Sequence, residues 1–305
     1  MLLAGLLGAA AAILPATIAR AGGAAPAGQA AGLDPAALAA AAARPTAAED
    51  GFVRRVYTDA TGQSLTYYLY VPAGYDPHGQ YPLVLLLHGG GERAQPQSTP
   101  AQNEARLLDQ GYIRVWAASD AAAPVPTVQA RWPSFVVVPQ LTYPDQWVNV
   151  PTDQGVYRQP AEPSDPLRLT KELLDALQRE YRGIDPARRY ITGISLGGYG
   201  VWDAIERWPD YFAAAAPLCG AGDPAAAARL VGLPIWAFHG AHDGIVPVAG
   251  SRAMIRAIEA AGGHPRYTEY AKAGHGIWNT VYASPRQPGQ TSPFFTWLFA
   301  QRRPG

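Results

Sequence analysis

Two stretches, YPLVLLLHGGGE from residue 81 and SFVVVPQ at 134–140, are apolar without alternation until glycine or proline ends them. A strand wet on one face alternates polar and apolar residues; a strand covered on both faces does not, so these runs predict inner strands of a sheet with helices on either side. Between the second run and RRYIT at 188–192 lies a helix opened by Asp165-Pro166 and closed by Gly183. Its apolar residues Leu169, Leu173, Leu174, Leu177 and Tyr181 recur three or four apart. Strand, helix, strand is a crossover between parallel strands.

The pattern repeats as a helix over 197–208 stopped by Pro209, strands at 211–217 and 234–239, a helix over 248–261, a strand at 266–270 and a helix from 292 to 302. Ahead of it, the runs 52–58 and 64–71, separated by the turn residues Asp59 to Gly62, predict an antiparallel hairpin. The fold class is α/β: a mostly parallel central sheet with helices on both faces and an N-terminal antiparallel hairpin. Ligand groups gather at the carboxyl ends of such strands.

The domains predicted are a signal peptide at 1–21, an Ala/Gly/Pro-rich linker at 22–51 and one catalytic domain at 52–305. Residues 2–14 form an apolar run too short to span a bilayer, and Ala19-Arg20-Ala21 follows as a small-residue cleavage site, although no Lys or Arg precedes the run. Export out of the cytoplasm, with no stable membrane insertion after signal removal, is the expectation. Lys plus Arg equals Asp plus Glu at 24 each, so no surplus of positive charge marks the chain as a nucleic-acid partner. The single cysteine, Cys219, leaves no intrachain disulfide to form; it reads as a small buried hydrophobe.

Gly193-Ile194-Ser195-Leu196-Gly197 matches G-x-S-x-G and falls between a predicted strand and a predicted helix, which is where a serine nucleophile needs to be. A sharp turn there exposes the hydroxyl and crowds the positions two before and two after, so both must lack a Cβ. Serine also needs a base held in one tautomer by an acid. In the chain order serine, acid, histidine, His264 and His275 are the histidines far enough along. His264 sits beside Pro265 before a strand, while His275 lies in the glycine-flanked loop Ala-Gly-His-Gly after the last strand and is the better base. Asp243, on the loop after the strand PIWAFH, is the acid. Asp203, Asp210 and Asp223 are explained by helix, capping or turn positions, and His239 and His242 read as structural.

The oxyanion of a tetrahedral intermediate needs amide donors. The Leu196 N–H is one, and the His88-Gly89-Gly90-Gly91 loop supplies another from Gly90 or Gly91. Trp147 and Trp278 fall in loops on the active face. They are candidates for lining an acyl or aromatic subsite, or for anchoring those loops to the core.

The segments LLLHGGGERA, VVVPQ, YITGISLGGYGVWDAIERWPDYFAAAAPLCGAGD, FHGAHDGIVPV and AGHGIWNTVY together resemble bacterial α/β-hydrolases of the predicted-peptidase, carboxylesterase and poly(3-hydroxybutyrate)-depolymerase-like esterase group, over about residues 52–300. The resemblance implies the α/β-hydrolase fold, with Ser195, His275 and Asp243 as the triad. It also implies Leu196 and the Gly90 region as oxyanion donors, and Leu196 stands where methionine is usual. The expected activity is hydrolysis of small or oligomeric carboxylic esters through an acyl-enzyme, with no metal or organic cofactor. A serine peptidase on the same fold is the alternative. The segment from Arg93 to Trp132 is longer than in simple members.

Overall fold

The computed structural model describes residues 51–117, 127–283 and 292–304, all within one compact unit, Pro45–Gly305. The predicted signal peptide, and the predicted linker up to residue 50, lie outside the described residues.

Strands β1 (Phe52–Thr58) and β2 (Ser64–Tyr70) form the expected hairpin. Asp59 closes its turn, with Oδ1 accepting the N–H groups of Thr61 and Gln63 at 2.8 and 2.9 Å. Next come β3 (Tyr81–Leu87), α1 (Pro100–Leu108), α2 (Gly111–Ala117), α3 (Val128–Arg131), β4 (Phe135–Gln140) and α4 (Asp165–Glu180). Then follow β5 (Ile184–Ile194), α5 (Leu196–Arg207), β6 (Ala214–Leu218), a 3₁₀ segment at Pro224–Leu230, β7 (Trp236–Gly240), α6 (Ala249–Ala260), β8 (Arg266–Tyr270), α7 (Trp278–Val281) and α8 (Pro293–Ala300). The sheet has eight strands in the order β1-β2-β4-β3-β5-β6-β7-β8; β1, β2 and β4 pair antiparallel, and every pair from β4 onward is parallel.

The unbroken apolar runs have the expected cause. Leu83, Leu85 and Leu87 of β3 enter a core under α4 and α5, while Val84 and Leu86 enter a second core with Tyr112, Ile113 and Trp116 of α2 and Phe294, Phe295 and Leu298 of α8. Each such side chain, fully withdrawn from water, contributes about 1.5–3 kcal/mol.

Three boundaries differ from expectation. β5 extends beyond 188–192 at both ends, because Ile184 pairs with Tyr81 across a register shift before the regular ladder begins. β6 starts at Ala214 and not at 211, because Tyr211 closes a turn on the Trp208 carbonyl. Among its described residues the segment from Arg93 to Trp132 carries three helices, none of them among the expected elements. The first is announced by a capping box, in which the Thr99 side chain accepts the Gln102 N–H and the Gln102 side chain accepts the Thr99 N–H.

Candidate active site

The carboxyl ends of β3, β5, β6 and β7 converge on one rim. Ser195 stands at the tip of β5 with φ 53° and ψ −118°, a left-handed backbone that a side chain adopts at a cost of roughly 1–3 kcal/mol. The turn closes because its neighbours are bare. A Cβ on Gly193 would come within 2.7 Å of the Gly197 carbonyl, and one on Gly197 would run into the Leu87 carbonyl. The Ser195 N–H is held by the Leu218 carbonyl at 2.9 Å, and its hydroxyl is not spent on capping α5.

The structure brings the three expected side chains together. The Ser195 hydroxyl donates to His275 Nε2 at 2.8 Å, and His275 Nδ1–H donates to Asp243 Oδ2 at 2.7 Å. Asp243 Oδ1 accepts the N–H groups of Ile245 and Val246, both at 2.9 Å. Burial pushes the Asp243 carboxyl up, but the hydrogen bonds from His275, Val246 and Ile245 outweigh it and hold the group below the usual carboxylate range. The acid is therefore ionised at neutral pH, and His275 is fixed with its Nε2 lone pair toward the serine. Asp203 and Asp223, two of the three weighed alternatives, lie elsewhere. Asp203 is buried against Arg207 at 2.7 Å, and Asp223 caps the 3₁₀ segment.

The glycine loop after β3 is held by its carbonyls. Trp147 Nε1–H donates to the His88 carbonyl at 3.0 Å, His88 Nδ1 to the Gly89 carbonyl at 2.6 Å, Arg93 Nε to the Gly90 carbonyl at 3.0 Å and Gln140 Nε2 to the Glu92 carbonyl at 3.0 Å. The His88 tautomer is unambiguous. The Leu141 N–H points at Nε2 from 3.0 Å, so the ring proton sits on Nδ1, and full burial pushes the imidazole down to about 4, keeping it neutral. Because a peptide carbonyl and the following N–H point in opposite directions, pinning Gly89 and Gly90 oxygens sets the directions of the Gly90 and Gly91 N–H groups. The loop continues as a 3₁₀ turn at Gly90–Glu92. The Leu196 N–H opens α5 and has no intrahelical acceptor.

The subsite expectation for Trp147 is overturned. Its side chain is fully buried beneath the glycine loop, edge-on to His88 at 5.3 Å, and its Cβ lies where a Cβ on Gly200 would sit 2.7 Å away. Holding the loop leaves it no surface for a ligand. Trp278 is half-buried at the start of α7, edge-on to the His275 ring at 5.4 Å and against Tyr112 at 6.2 Å. Cys219 is buried at φ 49°; its thiol donates to the His275 carbonyl at 3.3 Å, and burial pushes its pKa far up. The thiol is not a second nucleophile.

Sequence reasoning missed His88, Gln140 and His239 as parts of this site. Among the described residues, Cys219, His239 and Asp243 form one cluster with donor atoms within 4.8 Å of one another. Hydrogen bonds within the protein account for all three: Cys219 to His275, His239 to Ser251 and Val246, and Asp243 to His275.

The Esterase family model matches residues 58–280. The chain belongs to the esterase family. A crystal structure of a thermostable esterase is 35% identical with a TM-score of 0.69, covering 83% of this chain and 64% of that one. An endo-1,4-beta-xylanase of Acetivibrio thermocellus is 30% identical over 173 residues, 55% of this chain and 14% of the relative. A bifunctional acetylxylan esterase/xylanase of Neocallimastix patriciarum is 24% identical over 190 residues, 62% of this chain and 23% of the relative. The esterase-family chain thus spans less than a quarter of the length of these two curated relatives. A Pyrococcus horikoshii acylaminoacyl peptidase, 16% identical with a TM-score of 0.51 over 77% of this chain and 39% of that one, shares the fold alone. No helix among the described residues is long and apolar enough to cross a membrane.

Proposed function

We propose that this esterase-family protein hydrolyses carboxylic esters through an acyl-enzyme on Ser195. The observation that carries the reading is the unbroken chain from Ser195 Oγ through His275 to the buried Asp243 carboxylate, at 2.8 and 2.7 Å, on a serine presented by a strained turn.

In the first half-reaction Ser195 Oγ bonds to the acyl carbon as its proton passes to His275 Nε2. The carbonyl π pair moves onto oxygen, where the Leu196 N–H and a glycine-loop N–H, Gly90 or Gly91, receive the charge. Collapse expels the alcohol, which takes the proton from His275. Water then gives its proton to His275, attacks the acyl carbon and releases the acid, returning the proton to Ser195. Asp243 stabilises the imidazolium formed twice in this cycle. The step needs no metal or organic cofactor. The ring contact of Trp278 with His275 at 5.4 Å supports Trp278 as an aromatic wall of the acyl site.

The relatives named for acetylxylan ester and xylan chemistry support acyl groups borne on polysaccharide as the substrate class, and a polymer of that kind supports export of the enzyme. The test is a series of p-nitrophenyl esters from acetate upward, with a feruloyl ester, acetylated xylan and a peptide anilide. Ester turnover that falls on the order of 10⁶-fold in Ser195→Ala is expected. An anilide cleaved as fast as the activated esters would reverse the reading in favour of a peptidase.

A further inference from the structure

Asp243 meets a second imidazole. His239, the penultimate residue of β7, is fully buried, and its Nε2 lies 3.2 Å from Asp243 Oδ2 and 3.1 Å from the Val246 carbonyl. Both neighbours are acceptors, since the carboxylate is ionised, so Nε2 carries the ring proton; it is hydrogen-bonded to the Val246 carbonyl and lies within ion-pair distance of Asp243 Oδ2. Burial pushes the His239 pKa down, against the pull of the Val246 carbonyl and Asp243, and the ring is neutral. Its Nδ1 is then an acceptor that takes the one proton of the Ser251 hydroxyl of α6 at 2.8 Å, and the Gly220 carbonyl, 3.1 Å from the same Oγ, competes for that proton.

The arrangement matters for the oxygen that His275 uses. Asp243 Oδ1 is tied to two backbone N–H groups of its own loop, and a carboxylate held by one oxygen can pivot about it. A donor on Oδ2 from the rigid sheet stops the pivot, because β7 is paired on both sides, with β6 and β8. The other titratable groups around His239 are accounted for. Glu269 faces it in register from β8 with its carboxylate held by Arg252 and Tyr267, Cys219 gives its thiol proton to the His275 carbonyl, and His275 donates its Nδ1–H to the same oxygen, Asp243 Oδ2.

We propose that His239 is a positioning residue for ester hydrolysis, a second histidine on the acid whose Nε2–H, braced by Ser251, fixes Asp243 Oδ2 against His275. The inference rests on the triad reading above. It adds a chain of groups, Ser251, His239, Asp243, His275 and Ser195, in which the first two never touch substrate.

His239→Leu removes the N–H dipole from the carboxylate, which makes the field at His275 more negative and favours the imidazolium. The acid limb of the kcat/KM profile therefore moves to higher pH. Turnover falls on the order of 10- to 100-fold, the usual cost of losing an outer hydrogen bond that orients an active-site group, with KM within about twofold. His239→Gln, whose amide nitrogen can reach the place of Nε2, restores the limb and most of kcat. A loss of kcat with an unmoved limb, or no rescue by glutamine in a folded protein, overturns the proposal. If His239→Leu does not fold, Ser251→Ala decides: unbracing Nδ1 moves the limb the same way with a smaller loss of kcat, and an unmoved limb overturns the proposal. Ser195→Ala assayed alongside keeps the two readings apart. Turnover surviving there sinks the triad itself, whereas an inert Ser195→Ala with an unaltered His239→Leu sinks only the positioning role.

Discussion

The indole N–H of Trp147 donates to the backbone carbonyl of His88 at 3.0 Å, so a tryptophan buried out of ligand reach holds the glycine loop beside the Ser195 turn. Trp147→Phe keeps most of the ring and deletes the donor, leaving a buried carbonyl unpaired. The expected cost is about 1–3 kcal/mol of stability, with kcat lowered for every ester and the preference among acyl lengths unchanged. Thermal unfolding and kcat/KM for acetate and longer p-nitrophenyl esters check it; a changed chain-length preference would return Trp147 to the role of subsite wall.

Asp243→Asn preserves the shape of the acid but presents an N–H or a neutral oxygen to His275 Nδ1, releasing the tautomer that aims Nε2 at Ser195. Turnover is expected to fall on the order of 10⁴-fold at neutral pH. Labelling of Ser195 by a fluorophosphonate should slow in parallel. Labelling at the wild-type rate would show that another carboxylate serves as the acid.

The nucleophile turn and its partners were legible because their chemistry is local: a strand, two bare glycines around Ser195, and loops ending in Asp243 and His275. Their supports were not. His88 reads in the chain as the start of a glycine loop, and only the fold brings Leu141 and Trp147 to it across separations of more than fifty residues. His239 looks like the end of a buried strand, and its second role depends on Ser251 arriving from another element. The two roles left open for Trp147, subsite lining or loop anchor, are decided by the fold in favour of the anchor, since loop position does not say whether a ring turns outward or under. The helix at Pro100–Leu108 carried a readable signal that was passed over, the Thr99 and Gln102 capping pair.

Arg207 ties the 160–162 segment to α5. Its guanidinium pairs with the fully buried Asp203 carboxylate at 2.7 Å and donates to the carbonyls of Pro160, Ala161 and Glu162 at 2.7, 3.0 and 3.2 Å. Arg207→Met leaves the Asp203 carboxyl, which burial already pushes up, without its cation, and a destabilisation of about 3–5 kcal/mol is expected. The double variant Arg207→Met/Asp203→Leu removes both charges and should recover most of that loss in urea unfolding. Equal instability of single and double variants would mean that the backbone bonds, and not the buried charge, carry the effect.

Glu206, one turn along α5 from Asp203, gives the stability a pH dependence of its own. It is fully buried; its Oε1 accepts the Asp223 N–H at 2.9 Å, and Oε2 has no hydrogen-bond partner among the described residues. Burial, then the charges of Asp203 and Asp223, push its carboxyl well above the ordinary 4.5, against the pull of the Asp223 N–H and Arg207. A carboxyl whose folded pKa is raised binds its proton more tightly in the folded state. Its contribution to stability is complete below pH 4.5 and is lost as the pH climbs from there through the raised value. Glu206→Gln keeps an oxygen for the Asp223 N–H and cannot ionise, so this component of the slope disappears. Urea unfolding at pH 5 and pH 8 should show a smaller difference for Glu206→Gln than for the wild type, with the variant the more stable at pH 8. Identical slopes in the two proteins would mean that Glu206 is not what titrates.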